Sequence, residues 1–253
     1  MDRLKGKVVL VAGAASGLGA ASARRLAQEG AKVVVGDLNA EGAERTAAGI
    51  RAERGEAVAV EFDISDDASV GHLVSAAART YGGLDAVHVN AGDMSAVQKD
   101  TDVVDIDLSI WDRTIAVNLR GHMLVSRHAV PELLARGGGA IVYTSSIASF
   151  TGDAKRPAYA ATKAGINALA RHVASRWGKE GIRANAVAPG LILTPEIERG
   201  APPEMLRSML GRTRSTRHGR AEDVAGMVSY LISDEGAWIN GQVLNVDGGT
   251  VLR

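Results

Sequence analysis

The chain has 253 residues, balances 29 basic against 29 acidic side chains, and contains no cysteine. A chain of this length can bury about three quarters of its unfolded surface without a disulfide or metal staple, and zero formal charge gives no overall field for nucleic acid or anionic lipid. Absent thiols exclude a cysteine nucleophile and thiolate metal sites, no metal site of another kind is expected, and no apolar run approaches the ~20 residues of a membrane span.

Short apolar runs at 8–12, 32–36, 57–62, 86–89, 140–144, 183–188 and 242–246 alternate with helical patterns that include 17–29, 66–81, 110–135, 158–179 and 221–231. The runs are nearly continuous in Val, Ile and Ala, as strands require when helices cover both sheet faces. The expectation is an α/β fold with seven parallel strands. Residues 1–6 carry no leader pattern, so a cytoplasmic location is expected. No linker, repeat or low-complexity tract divides residues 1–253, which read as one domain. The least regular stretch, 191–219, holds Pro195, Pro202 and Pro203 around a helical pattern at 204–210, and reads as a lid or a connector.

After the first run comes Gly13-Ala14-Ala15-Ser16-Gly17-Leu18-Gly19, then a helix. Glycines there let backbone amides approach a pyrophosphate at the helix N-terminus, so a dinucleotide site of the doubly wound Rossmann type is expected. The second run ends in Asp37, eighteen residues past the last glycine, where a carboxylate can accept bonds from adenosine ribose hydroxyls or can cap the next helix. A 2′-phosphate would meet a like charge, and Ser16 and Leu38 stand where an Arg or Lys would serve one, so NAD is favoured over NADP. Asp100, Asp102, Asp105 and Asp107 form an acidic stretch, expected as a solvated loop and helix start.

Tyr159 and Lys163 are four residues apart, one helical turn, behind the helix-starting Arg156-Pro157-Ala158. A nearby cation and a helix N-terminus both favour a phenolate, so the pair can act as an acid/base unit. Arg207, Arg212, Arg214, Arg217 and Arg220 make a basic cluster that reads as a solvated face, or as a contact for an anionic substrate or a subunit.

The motifs together resemble the classical short-chain dehydrogenase/reductase family over residues 5–250. The spacing Gly-x-x-x-Gly-x-Gly is followed in order by Asp63-Ile64, Asn90-Ala91-Gly92, Val117-Asn118, Ser146, Tyr159 with Lys163, Pro189-Gly190, Thr194 and Val246-Asp247-Gly248-Gly249. The resemblance implies a catalytic set of Asn118, Ser146, Tyr159 and Lys163. Tyr159 would be the general acid/base, Ser146 would hold the substrate oxygen, Lys163 would bind the nicotinamide ribose, and Asn118 would support a relay water. It further implies cofactor contacts from Gly13, Ser16, Gly17, Leu18 and Gly19, and from Asp37 and Leu38. Asp63 and Ile64 would meet adenine; Asn90, Ala91 and Gly92 would line the cleft; Pro189, Gly190, Ile192 and Thr194 would flank the nicotinamide.

Structural readings stay open for Asp63 as a helix cap, Asn118 as a buried amide, and Ser145 in place of Ser146. Ala12 and Val89 replace polar residues usual in the family, which implies a changed hydrogen-bond route around the cofactor loops. The resulting expectation is an NAD-dependent oxidoreductase acting on a secondary alcohol or ketone, as a homotetramer contacting through helices 110–135 and 158–179. An NADP-dependent ketone reductase on acyl-carrier substrates and a catalytically silent dinucleotide sensor or scaffold are the alternatives. Neither nucleic acid nor membrane is an expected partner.

Overall fold

The computed structural model describes residues 2–194, 197 and 200–252. Strands β1 (Val8–Ala12), β2 (Lys32–Asp37), β3 (Glu56–Glu61), β4 (Ala86–Val89), β5 (Gly139–Thr144) and β6 (Ile182–Pro189) follow one another along the chain. Two short strands, β7 (Ile192–Leu193) and β8 (Gly219–Arg220), pair outside the main sheet, and β9 (Val243–Val246) completes it. The main sheet has seven strands in the order β3-β2-β1-β4-β5-β6-β9, every pairing parallel.

Side chains on β1 alternate between two cores. Val8, Leu10 and Ala12 face one, with α3 (Asp67–Tyr81), α6 (Gly121–Ala135) and α7 (Pro157–Trp177) packed over it. Val9 and Val11 face the other, under α1 (Gly17–Gln28), α2 (Ala40–Ala52) and α9 (Ala221–Ile232). Burial on both sides is why these strands read as unbroken apolar runs. The order reverses between β1 and β4, so the crevice beyond the carboxyl ends of those strands is where such a sheet binds ligands.

The pattern at 110–135 resolves into α5 (Leu108–Ile115), a π turn at Ala116–Arg120, and α6. α4 (Met94–Lys99) is a short addition after β4. The expected helix at 204–210 is α8 (Pro203–Gly211). Pro195 lies outside the described residues, and no described helix is long and apolar enough to cross a membrane.

Candidate active site

The turn after β1 leaves no room for a side chain at two glycines. Gly13 has φ +91°, and a Cβ there would lie 2.4 Å from the Ala91 Cα; a Cβ on Gly19 would lie 1.9 Å from the Gly13 carbonyl oxygen. Ser16, at the N-cap of α1, makes no side-chain capping bond, and the first turn has no acidic residue. Asn39 caps α2 and Asp66 caps α3, each accepting from a backbone amide. The first helix therefore keeps its amide donors directed at the crevice, which suits an anion.

Asp37 does not cap α2. Its carboxylate accepts from the Ala15 amide at 2.8 Å and the Asn39 amide at 3.0 Å, which fixes a half-buried charge at the end of β2, and Leu38 beside it is exposed. Asp63 does not cap α3 either. It accepts from the Ser65 amide and hydroxyl at 2.8 and 2.6 Å, bonds that hold its carboxyl below the usual range against the opposing effect of burial. Ile64 is buried beside it in the core.

Asn90 ties the crevice walls together. Its amide donates to the Gly13 carbonyl at 2.8 Å, which orients its oxygen to accept from the Thr144 hydroxyl at 3.0 Å. With that proton committed, the Thr144 oxygen accepts from His88 Nε2 at 2.9 Å, so His88 is the Nε2–H tautomer. Burial drives its pKa down to about 3, and the ring is neutral. Strand β4 thus braces the glycine turn through His88, Thr144 and Asn90, although Ala12 and Val89 are apolar.

Ser145 and Ser146 separate cleanly. Ser145 is buried and donates to the Lys163 carbonyl at 3.2 Å, whereas Ser146 is half-buried, accepts from the Ala148 amide at 3.1 Å and interacts with the Tyr159 hydroxyl. Asn118 sits in the π turn, where the widened backbone redirects its side chain. Its Oδ1 accepts from the Asp93 amide at 2.9 Å, while its buried Nδ2 has no hydrogen-bond partner among the described residues. A buried donor left open is a feature of sites completed by a ligand or water.

Lys163 is 4% exposed; its Nζ donates to the Thr144 carbonyl at 2.7 Å and lies 5.5 Å from the Tyr159 ring centroid. Burial lowers its pKa to about 8. The Tyr159 phenol stands above its ordinary value, because burial outweighs the Ser146 hydroxyl and the Arg156 guanidinium. The expected depression of Tyr159 by Lys163 and by the helix N-terminus is absent in this arrangement. The ammonium is engaged by Thr144, and the helix N-terminus faces Asp100.

Asp100 alone departs from the reading of the acidic stretch as a solvated loop and helix start. It is 3% exposed and accepts from the Tyr159 amide at 2.8 Å and the Ala158 amide at 3.4 Å. Asp107 does cap α5, and Asp102 closes a turn on Val104 and Asp105. No sequence spacing links Asp100 to Tyr159; only a capping aspartate without a helix of its own to cap hints at it.

Pro189 ends β6, Gly190 packs on Asp247, Ile192 is buried, and the Thr194 hydroxyl accepts from the Ile197 amide at 3.4 Å, all beside the same crevice edge. Arg217 of the basic cluster pairs with Asp223 at 2.7 and 2.8 Å on the surface. A groove lined by Ser75, Arg79, Glu132 and Arg136 lies where α3 and α6 end, at the amino edge of the sheet, and holds none of these residues.

Comparisons with known proteins agree with this architecture. A family model described as enoyl-(acyl carrier protein) reductase matches residues 13–251. A probable short-chain type dehydrogenase/reductase of Bradyrhizobium diazoefficiens is 43% identical over all of this chain and 90% of its own length. The cis-4-hydroxycyclohexanecarboxylate dehydrogenase of Sinomonas cyclohexanicum is 40% identical over 96% of each chain. A solved 7α-hydroxysteroid dehydrogenase, in complex with NADH and 7-oxo glycochenodeoxycholic acid, superposes with a TM-score of 0.92 at 32% identity, covering 99% of this chain and 96% of its own. With the glycine turn, the seven-stranded order and these relatives in agreement, the chain belongs to the short-chain dehydrogenase/reductase family of oxidoreductases.

Proposed function

We propose that this protein moves a hydride between NAD and the carbon of a secondary alcohol or ketone borne on an alicyclic ring. The observation that carries the reading is that Ser146 meets the Tyr159 hydroxyl while Lys163, beside the Tyr159 ring, is held on Thr144, whose hydroxyl reaches the glycine turn through Asn90. The residues fit a dinucleotide: Gly13 and Gly19 leave no space for a Cβ, the α1 amides lack a side-chain cap, and a buried Asn118 donor is open. Residues 13–19 would hold the pyrophosphate, Asp37 and Leu38 the adenosine ribose, and Asp63 and Ile64 the adenine. Asn90 to Gly92 and Pro189, Gly190, Ile192 and Thr194 would line the nicotinamide half.

When bound, the dinucleotide supplies the hydride acceptor or donor. Ser146 holds the substrate oxygen, and Tyr159 takes the hydroxyl proton in oxidation or returns it in reduction. Lys163 contributes a donor for the nicotinamide ribose and keeps an ammonium 5.5 Å from the Tyr159 ring. Asn118 holds a water on the route by which the proton leaves. The fixed charge at Asp37 supports NAD over NADP, because a 2′-phosphate would meet it. The ring-borne substrates named for two relatives support the alicyclic class. A homotetramer joined through α5, α6 and α7 belongs to the same reading, and a monomer mass in sedimentation would remove it.

Initial rates with NAD and NADP test the reading over a panel of cyclohexanols, cis-4-hydroxycyclohexanecarboxylate, a 7α-hydroxysteroid, open-chain alcohols and a 3-oxoacyl thioester. Fastest NAD reduction with a ring alcohol is expected, and Tyr159→Phe should lower it by about 10²–10⁴-fold. NADP-preferring reduction of the thioester would replace this reading. Tight dinucleotide binding without turnover on any member would instead favour a sensor.

A further inference from the structure

The first turn of α7 takes its hydrogen bonds from another part of the chain. Pro157 has no amide to satisfy, the amides of Ala158 and Tyr159 donate to the Asp100 carboxylate, and the amide of Ala160 donates to the Arg156 carbonyl. Arg156, the N-cap, makes no side-chain capping bond and sits at φ +68°, ψ 46°, a left-handed conformation that non-glycine residues rarely adopt. Its own amide donates to the Thr101 carbonyl at 2.8 Å. Two consecutive residues of the segment after α4 therefore hold both the strained entry and the open donors of the helix that carries Tyr159.

We infer that Asp100 is a positioning residue for Tyr159, clamping the first turn of α7 to the α4 segment so that the proton-transfer group keeps a fixed place. A left-handed residue persists only where surrounding contacts over-determine it. Removing the carboxylate leaves two buried amides without an acceptor and releases the turn. Tyr159 lies in that turn. Lys163 lies one turn deeper and is anchored separately by Thr144, so losing the clamp displaces the phenol relative to an unmoved lysine and cofactor turn. A misplacement of about 1 Å can lower turnover by about 10²-fold.

This inference rests on Tyr159 as the proton-transfer group, so Tyr159→Phe is measured alongside. Asp100→Ala and Asp100→Asn are compared with the parent chain for kcat and KM with NAD and the fastest alcohol of the panel, for NAD affinity by fluorescence, and for amide hydrogen exchange. Asp100→Ala is expected to lower kcat by about 10–100-fold with KM for NAD within about twofold of the parent. Exchange protection should be lost at Ala158 and Tyr159 while that of β5 and β6 is retained, and Asp100→Asn, which keeps an acceptor, should recover most of the rate. Unchanged protection at those two amides in Asp100→Ala, or kcat within about twofold of the parent while Tyr159→Phe is inactive, would overturn the clamp. Equal losses in both Asp100 variants together with lost NAD binding would also overturn it. An active Tyr159→Phe would sink the proton-transfer reading and with it the inference, while the exchange data would still report whether Asp100 holds the turn.

Discussion

The two edges of the sheet handle buried charge in opposite ways. At the amino edge, Glu29 is almost fully buried but accepts from Arg3 at 2.8 Å, from the Ser229 hydroxyl at 2.7 Å, and from Arg25. Arg3 also reaches Glu235, and Asp85 accepts from the Val8 amide at 2.8 Å and from Arg136 at 3.0 Å. At the carboxyl edge, among the described residues, Lys163 has one hydrogen bond, to a carbonyl, and no carboxylate partner, and Asn118 keeps an open donor. The first edge uses charge to hold the fold. The second maintains incompletely compensated polar groups, which destabilise the apoprotein and are available to a ligand.

The sharpest way to break this contrast is Lys163→Met. Activity with the fastest alcohol should fall by about 10²–10⁴-fold, yet the apoprotein should become more stable near neutral pH. The sign follows from its pKa of about 8, lowered by burial from 10.5. The unfolded chain binds more protons between those two values, so Lys163 makes stability rise as pH increases through that window, and below it the fold carries the full penalty. Melting scans from neutral to alkaline pH should show a gain on the order of 1–3 kcal/mol near pH 7 in the variant and a flatter profile above pH ~8. A variant less stable than the parent at pH 7 would remove the contrast.

Glu29→Gln is the mirror experiment at the other edge. Burial would raise the Glu29 pKa, but the hydrogen bonds from Arg3, Ser229 and Arg25 more than offset this and bring it to about 2 from 4.5. Its contribution is present above the unfolded value and is lost as pH falls from 4.5 toward about 2. Urea unfolding at pH 7 should show a loss of about 1–3 kcal/mol in the variant, shrinking in acid, with kcat close to that of the parent. Asp37→Ala, at the far end of the crevice, sharpens the same division. It should narrow the preference for NAD over NADP by about tenfold or more while lowering stability by only about 1 kcal/mol, since two backbone amides lose an acceptor. An unchanged cofactor ratio would remove the charge argument.

Most of the fold was legible in the residues because apolar runs of strand length alternate with helical periods, and helix-covered strands cannot hide that pattern. That Tyr159 and Lys163 lie side by side was legible from a four-residue helical spacing, and that Ser146 rather than Ser145 meets the Tyr159 hydroxyl was legible only through the family resemblance. Asp100 was not: it acts on an amide 59 positions away, and its neighbours Asp102 and Asp107 do the local work that all four aspartates promised. His88 was equally hidden, since one histidine in a strand of valines carries no sign of the threonine it will meet on β5. The π turn was invisible because one extra residue barely disturbs a helical period.

That turn bears on which changes in length the chain can accept. Residues Ala116–Arg120 place one residue more in the helix than an uninterrupted α-helical path would hold. Deleting any one of the five would regularise the backbone from α5 into α6 and would look, by propensity alone, like an improvement. It would also remove the widened turn that redirects the Asn118 side chain and so carry it away from the crevice. Length, as much as residue identity, is what this segment must preserve.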